Sequence, residues 1–256
     1  MSINGYGWLP RNPYRWKGVD AGPSGVLSFD YGWPAGGTSE PNVAAQWTFD
    51  EGSGSIVDEV AALSLAQNGS PTYSQSASGP WSKLSPGIKF VRATADRFYI
   101  SGAQPSVANG TDDAVFEWVL KLESSANNKE LIWNTWAGQG TLIEFTRTAT
   151  PTYNFDFRLI GPGGTLTIAI PFDGSVYGDG DFHKWRLALD RSGNAELFLD
   201  GATQGTADVS AHAANDIPAQ AIVLSGAFGE ELDMTVLEYR LTIGNATNNS
   251  GGPNGG

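Results

Sequence analysis

The chain has 256 residues with two histidines, no cysteine and 27 Asp and Glu. Any chemistry must therefore come from carboxylates, hydroxyls or the two imidazoles. A thiolate nucleophile and a cysteine metal site are excluded outright. His183 and His212 each stand alone, with no second ligand at the close spacing a histidine metal site uses. There is no Gly-x-Ser-x-Gly elbow to expose a nucleophilic serine and no Gly-Lys-Ser/Thr phosphate loop. The acids are more suggestive. Asp50, Glu51 and Asp58 crowd one Gly-rich stretch, and Asp173, Asp179 and Asp181 crowd another. Several hard oxygens close together suit calcium, although the spacing is not that of an EF-hand. The same acids have a plainer reading as solvated caps of tight turns.

Those residues must be held by a framework, and composition limits it. Gly (33) and Pro (14) are abundant, and nine Trp sit in a chain with few charges. Many turns and many large rings suit a turn-rich all-β protein. The net charge of −12 repels phosphate backbones, so a nucleic-acid partner is not expected. No run approaches 18 apolar residues, so membrane insertion is not expected either. Residues 1–24 lack the apolar core of a signal peptide. With no cysteine, this points to synthesis in a reducing compartment such as a host cytoplasm.

Strand periodicity dominates from Val43 onward. Phe116, Trp118, Leu120 and Leu122 alternate with polar or smaller neighbours. So do Tyr153–Leu159, Leu166–Ile170, Trp185–Leu189 and Leu237–Ile243. Weaker runs lie at Ile88–Ala93, Arg97–Ser101, Glu130–Asn134, Thr141–Arg147, Ala195–Asp200 and Gln220–Phe228. Residues 161–164 and 191–194 read as hairpin loops, and Val209–Asn215 as a short helical turn. About a dozen antiparallel strands without intervening helices predict a two-sheet β-sandwich or jelly roll. The expected organisation is an extended N-terminal arm over 1–41, the sandwich over 42–245 and a Gly/Asn-rich tail over 246–256.

Two segments carry a family resemblance. Ala45-Gln46-Trp47-Thr48-Phe49-Asp50-Glu51-Gly52-Ser53-Gly54, with Asp58 beyond it, resembles the opening strand of laminin G-like, concanavalin A-like domains. Gly180 to Asp190, followed by Asn194 to Gly201, is similar to their penultimate hairpin, with Phe182 where the family usually has Trp before His183. The resemblance implies a concanavalin A-like jelly roll, and relatives of this kind often hold calcium at the sandwich rim. Related sandwiches also include glycoside hydrolases with a Glu-x-Asp-x-Glu or Glu-x-Asp-x-x-Glu strand, whose carboxylates converge, with or without a bulge, as nucleophile and acid. The nearest match here is Glu231-Leu232-Asp233, with Glu238 five residues on. On a regular strand Glu238 would point to the opposite face from the other two, so an enzyme is not expected.

Functions from three classes stay open. The arm is rich in rings (Tyr6, Trp8, Tyr14, Trp16, Phe29, Tyr31, Trp33), and carries a small basic group at Arg11, Arg15 and Lys17. A disordered linker should be poor in aromatics. The leading expectation is a virion structural protein, a bacteriophage capsid decoration or tail accessory protein. Tyr6, Trp8, Arg11, Tyr14, Trp16 and Trp33 would anchor it to a capsid or tail neighbour in a multi-copy assembly. The alternative is a lectin-like module for host or surface glycans, with Trp133, Trp136 and Tyr177 as contacts. A glycoside hydrolase is the third.

Overall fold

The computed structural model describes residues 43–244, apart from 77–80, 82–83, 85, 92–93, 109, 124–128, 136–139, 150–151, 173, 177–178, 219–220 and 225–232. The side chains of 106, 129–135, 147–149 and 152 are outside the described set as well. The chain divides into two units, Met1–Glu40 with Gly251–Gly256 and Pro41–Ser250, and the described residues belong to the second. The six expected arm anchors, Tyr6, Trp8, Arg11, Tyr14, Trp16 and Trp33, lie outside the described residues.

The described residues form sixteen strands: β1 (Val43–Trp47), β2 (Ile56–Val57), β3 (Ser64–Asn68), β4 (Thr72–Gln75), β5 (Gly87–Phe90), β6 (Arg97–Ile100), β7 (Ala114–Leu122), β8 (Lys129–Thr135), β9 (Gly140–Ala149), β10 (Thr152–Gly161), β11 (Gly164–Phe172), β12 (His183–Leu189), β13 (Asn194–Leu199), β14 (Ala202–Asp208), β15 (Ile222–Leu224) and β16 (Met234–Ile243). They make two eight-stranded sheets. The first runs β14-β13-β12-β7-β16-β5-β4, with β1 also on β16, and the second runs β11-β10-β9-β8-β15-β6-β3-β2. The ladders are antiparallel. The expected all-β sandwich is therefore present, and the helical signal near Val209 is a single 3-10 turn at Ser210–His212.

Four of the five strong alternations bury the face they predict, and the fifth, Leu237–Ile243, does so only from Tyr239 onward. Phe116, Trp118, Leu120 and Leu122 of β7 are buried, as are Trp185, Leu187 and Leu189 of β12 and Phe155, Phe157 and Leu159 of β10. Their rings meet across the two sheets. Trp185 lies 4.8 Å from Phe145 and 5.0 Å from Phe172, and Trp118 lies 6.0 Å from Phe155. Trp47 of the opening motif packs on Tyr239 at 5.5 Å. Such tilted and edge-on rings fill the interior and remove large apolar areas from water.

One strand departs from regular alternation. β16 is bulged between Val236 and Glu238. Met234 and Val236 face the core before the bulge, and Tyr239 and Leu241 face it afterwards. Leu237, expected inside with them, packs on the outer face of the sheet with Val119 and Phe182. The bulge falls where β16 changes partners: β5 pairs with Met234–Val236 and β1 with Tyr239–Thr242. An extra residue twists the strand there and reverses the parity beyond it. Gly87 of β5 belongs to the same junction, since a Cβ there would sit 2.2 Å from the Val236 carbonyl oxygen.

Candidate functional site

Three groups of side chains combine chemical capacity with defined geometry. The first lies around the penultimate hairpin. Asp200 and Gly201 form the two-residue turn between β13 and β14, with φ 50 and φ 80. Two successive left-handed residues are what a type I′ hairpin turn requires. The turn returns the Asp200 carboxylate over the start of β12. Its Oδ2 lies 2.7 Å from His183 Nδ1, and its Oδ1 accepts the Lys184 N–H at 2.9 Å. Asp179 Oδ2 lies 3.0 Å from the other ring nitrogen. The Asp200 hydrogen bond, aided by Asp179 and opposed by burial, pushes the His183 pKa up to about 9. At neutral pH the ring is an imidazolium donating from both nitrogens, so it has no lone pair to act as a base. His183 is a structural clamp between the 174–182 loop and the β13–β14 turn.

The second group lies on the outer face of the first sheet. The bulge in β16 turns Glu238 onto this face, where Gln46 Nε2 donates to its Oε1 at 2.9 Å. Burial pushes the Glu238 pKa up to about 8, against the pull of Lys184 and Arg240. Lys184 in turn pairs with Glu117 at 3.1 Å. The bulge corrects the reason for setting Glu238 apart from Asp233: counted with the extra residue, the two share a parity. What separates them is length, because five residues of strand span about 17 Å at ~3.4 Å each, beyond the separation of an acid pair around one glycosidic bond. Glu231 lies outside the described residues.

The acids expected to hold calcium are placed as follows. Asp58 is buried and accepts the backbone N–H groups of Gln46, Val60 and Ala61, which ties β1 to the turn at 58–61. Asp50 is exposed. Asp179 holds His183 and also accepts the Asp181 N–H at 2.9 Å. Asp173 lies outside the described residues. Among the described residues no group of three or more His, Asp or Glu side chains is arranged to hold a metal ion. The chain leaves β1 through two left-handed residues, the buried Phe49 (φ 54) and Gly54 (φ 82).

The third group was not read from the sequence. β6 alternates about Phe98, which is buried in the core, so Arg97 and Tyr99 face outward from the second sheet. Tyr99 is 38% exposed, and among the described aromatic side chains it alone is classed as exposed. Ala66 of β3 lies directly opposite it, and Asn68 lies opposite Arg97. Ala66 is small and exposed, and on the other side Val223 of β15 lies opposite Tyr99 and is buried. The signal was present as adjacent aromatics in Arg97-Phe98-Tyr99-Ile100: on a strand one of two successive rings must point away from the core. Of the expected glycan contacts, Trp133 lies in β8 opposite Ile143 and Leu224, with its side chain outside the described set. Trp136 and Tyr177 are outside the described residues altogether.

No protein-family model and no curated protein matches the chain. Solved structures do match in fold. The binding domain of botulinum neurotoxin DC, in complex with rat synaptotagmin II, superposes with a TM-score of 0.60 at 10% identity, over 81% of this chain and 50% of that one. A botulinum neurotoxin type C structure, from a toxin whose passage into cells depends on interaction with two ganglioside molecules, gives 0.59 at 11% identity, over 81% and 49%. The binding domain of Paraclostridial mosquitocidal protein 1 gives 0.58 at 11% identity, over 81% and 50%. This chain thus corresponds to about half the length of each of those chains. At these identities the likeness shows the fold alone: the jelly-roll-like β-sandwich found within those binding domains.

Proposed function

We propose that this sandwich is a non-catalytic binding module that recognises carbohydrate displayed on a surface. The observation that carries the reading is Tyr99, an aromatic ring held outward from the second sheet while its neighbour Phe98 is buried. Sugar rings stack their C–H faces on such rings, and an aromatic fixed on a strand loses little freedom when it binds. Two titratable groups with displaced pKa values have structural duties: His183 clamps a turn, and Glu238 is buried against Gln46. The fold neighbours are binding domains, one from a toxin that interacts with gangliosides. The test is a glycan array probed with the full chain and with Tyr99→Ala. Binding to a defined set of glycans, lost in the variant while its melting temperature is unchanged, is the expected result. A chain that binds no glycan overturns the reading.

A second reading rests on the arm. Seven aromatic residues (Tyr6, Trp8, Tyr14, Trp16, Phe29, Tyr31, Trp33) stand in its 41 residues, a composition suited to an anchor. On this reading the protein is a virion component, fixed in many copies on a capsid or tail, and a glycan-binding sandwich is compatible with that position. Deleting residues 1–40 is expected to abolish incorporation into particles and to leave the sandwich folded. Normal incorporation of the deleted chain sinks it.

A further inference from the structure

We infer that the outer face of the second sheet around Tyr99 is the saccharide site, and that it selects sugars bearing a carboxylate. The inference rests on the carbohydrate-binding reading and specifies its place and ligand class. Two successive cross-strand pairs of β3 and β6 build the platform. Asn68 faces Arg97, and Ala66 faces Tyr99. Phe98, between Arg97 and Tyr99, and Leu65, just before Ala66, are fully buried, and Gln67, between Ala66 and Asn68, is half-buried. Directly opposite pairs on one face are ~5 Å apart between Cβ atoms, and Arg97 and Tyr99 are separated by two strand residues, or about 7 Å. A pyranose ring stacked on Tyr99 can therefore direct an exocyclic carboxylate to Arg97 and a neighbouring hydroxyl to Asn68.

The polar members of this platform are uncommitted. Arg97 makes no ion pair, and neither the Asn68 amide nor the Tyr99 hydroxyl makes a hydrogen bond, among the described residues. The contrast with Arg158 is direct. That residue faces outward from the same sheet and is paired with Glu144 at 2.7 Å. An unpaired guanidinium on a chain of net charge −12 is where an anionic ligand gains a charge-assisted, bidentate contact and meets least repulsion.

The platform is also fixed in place. Asp96, which precedes Arg97, is fully buried, and its carboxylate accepts the Ser70 N–H at 2.6 Å and the Val91 N–H at 2.9 Å. Its oxygens are thus engaged by backbone amides at the ends of β3 and β5. Gly69, at φ 83, lets the chain close over it, since a Cβ there would meet Asp96 Oδ1 at 2.4 Å. The strand ends that carry Asn68 and Arg97 are locked together before any ligand arrives, which reduces the entropy lost on binding.

The experiment titrates the full chain with sialyllactose, with a glucuronate-terminated disaccharide, and with lactose as the neutral counterpart, following Tyr99 variants and Arg97→Gln by calorimetry. The site predicts that one or both acidic sugars bind more tightly than lactose. Arg97→Gln should weaken the acidic sugar roughly 10- to 100-fold and leave lactose unchanged, while Tyr99→Ala weakens both. Which acidic sugar binds separates a sialic-acid source from a uronic-acid source. Acidic binding that survives both substitutions overturns the site and leaves the carbohydrate reading standing. Equal binding of lactose and the acidic sugars, insensitive to Arg97→Gln, overturns the ligand class. No binding of any saccharide here or on the array overturns both proposals. Both substitutions are at outward-facing positions, and an unchanged melting temperature excludes misfolding as the cause of a loss.

Discussion

His183 Nδ1 lies 2.7 Å from Asp200 Oδ2, across a turn whose two residues are both left-handed. This contact makes stability depend on pH. The folded pKa of His183 is about 9, above the ordinary histidine value of 6.5. The stabilisation is complete below about pH 6.5 and is lost as the pH rises through about 9. The melting temperature of the native chain should fall over this window. Replacing His183 with Asn should lower it at pH 6 and flatten that part of the profile. An unchanged profile in the variant would show that the clamp contributes nothing.

Glu238 acts in the same direction over a lower range. Its folded pKa of about 8 exceeds the ordinary glutamate value of 4.5, so folding favours the protonated form. Stability associated with it is full below about pH 4.5 and declines until about pH 8. Glu238→Gln keeps the side-chain shape without the charge. It should raise the melting temperature at pH 9 by on the order of 5 °C and have little effect at pH 4. A variant less stable than the native chain at pH 9 would contradict the burial of this carboxyl.

Arg191 is buried, and its guanidinium donates to the carbonyl oxygens of Gly110 (3.1 Å), His212 (2.7 Å) and Asn215 (2.6 Å). It joins three loops at one end of the sandwich. Truncating it to Ala removes the donors of all three carbonyls and should cost about 3 kcal/mol in urea unfolding. Asn215 extends the junction, accepting the Gly163 N–H and donating to the Gly164 carbonyl. Gly161→Ala should also destabilise, because its Cβ would stand 2.5 Å from Asn215 Oδ1.

Trp185 is fully buried against Phe145 and Phe172 from the opposite sheet. Trp185→Ala should cost about 3–5 kcal/mol, whereas Tyr99→Ala should change stability by well under 1 kcal/mol. Comparing their unfolding curves tests the assignment of one ring to the core and the other to the surface.

Much of the architecture was legible because long strands carry their own evidence of two-sided packing. β7, β10, β11 and β12 each bury the face their alternation marks. The hairpin turns at 161–164 and 191–194 were announced by Gly and Pro, and the Asp200-Gly201 turn by residues that tolerate left-handed angles. The short strands β2, β3, β4 and β14 were not legible. Sequences such as Ser64-Leu65-Ala66-Gln67-Asn68 hold too few apolar residues to show a period, and neighbouring strands rather than propensity make them β.

By itself the sequence determined the all-β class, the aromatic core and the absence of any thiol, because each follows from residue type or from a period of two. Tertiary structure decided the rest. The bulge in β16, which falls where its partner changes from β5 to β1, leaves Leu237 and Glu238 together on the outer face, a parity no local pattern encodes. The pairing of β3 with β6 brings Asn68 and Ala66 beside Arg97 and Tyr99 across some thirty intervening residues. Side chains that far apart in the chain become a surface only when a sheet fixes their register, which is a non-local property of the fold.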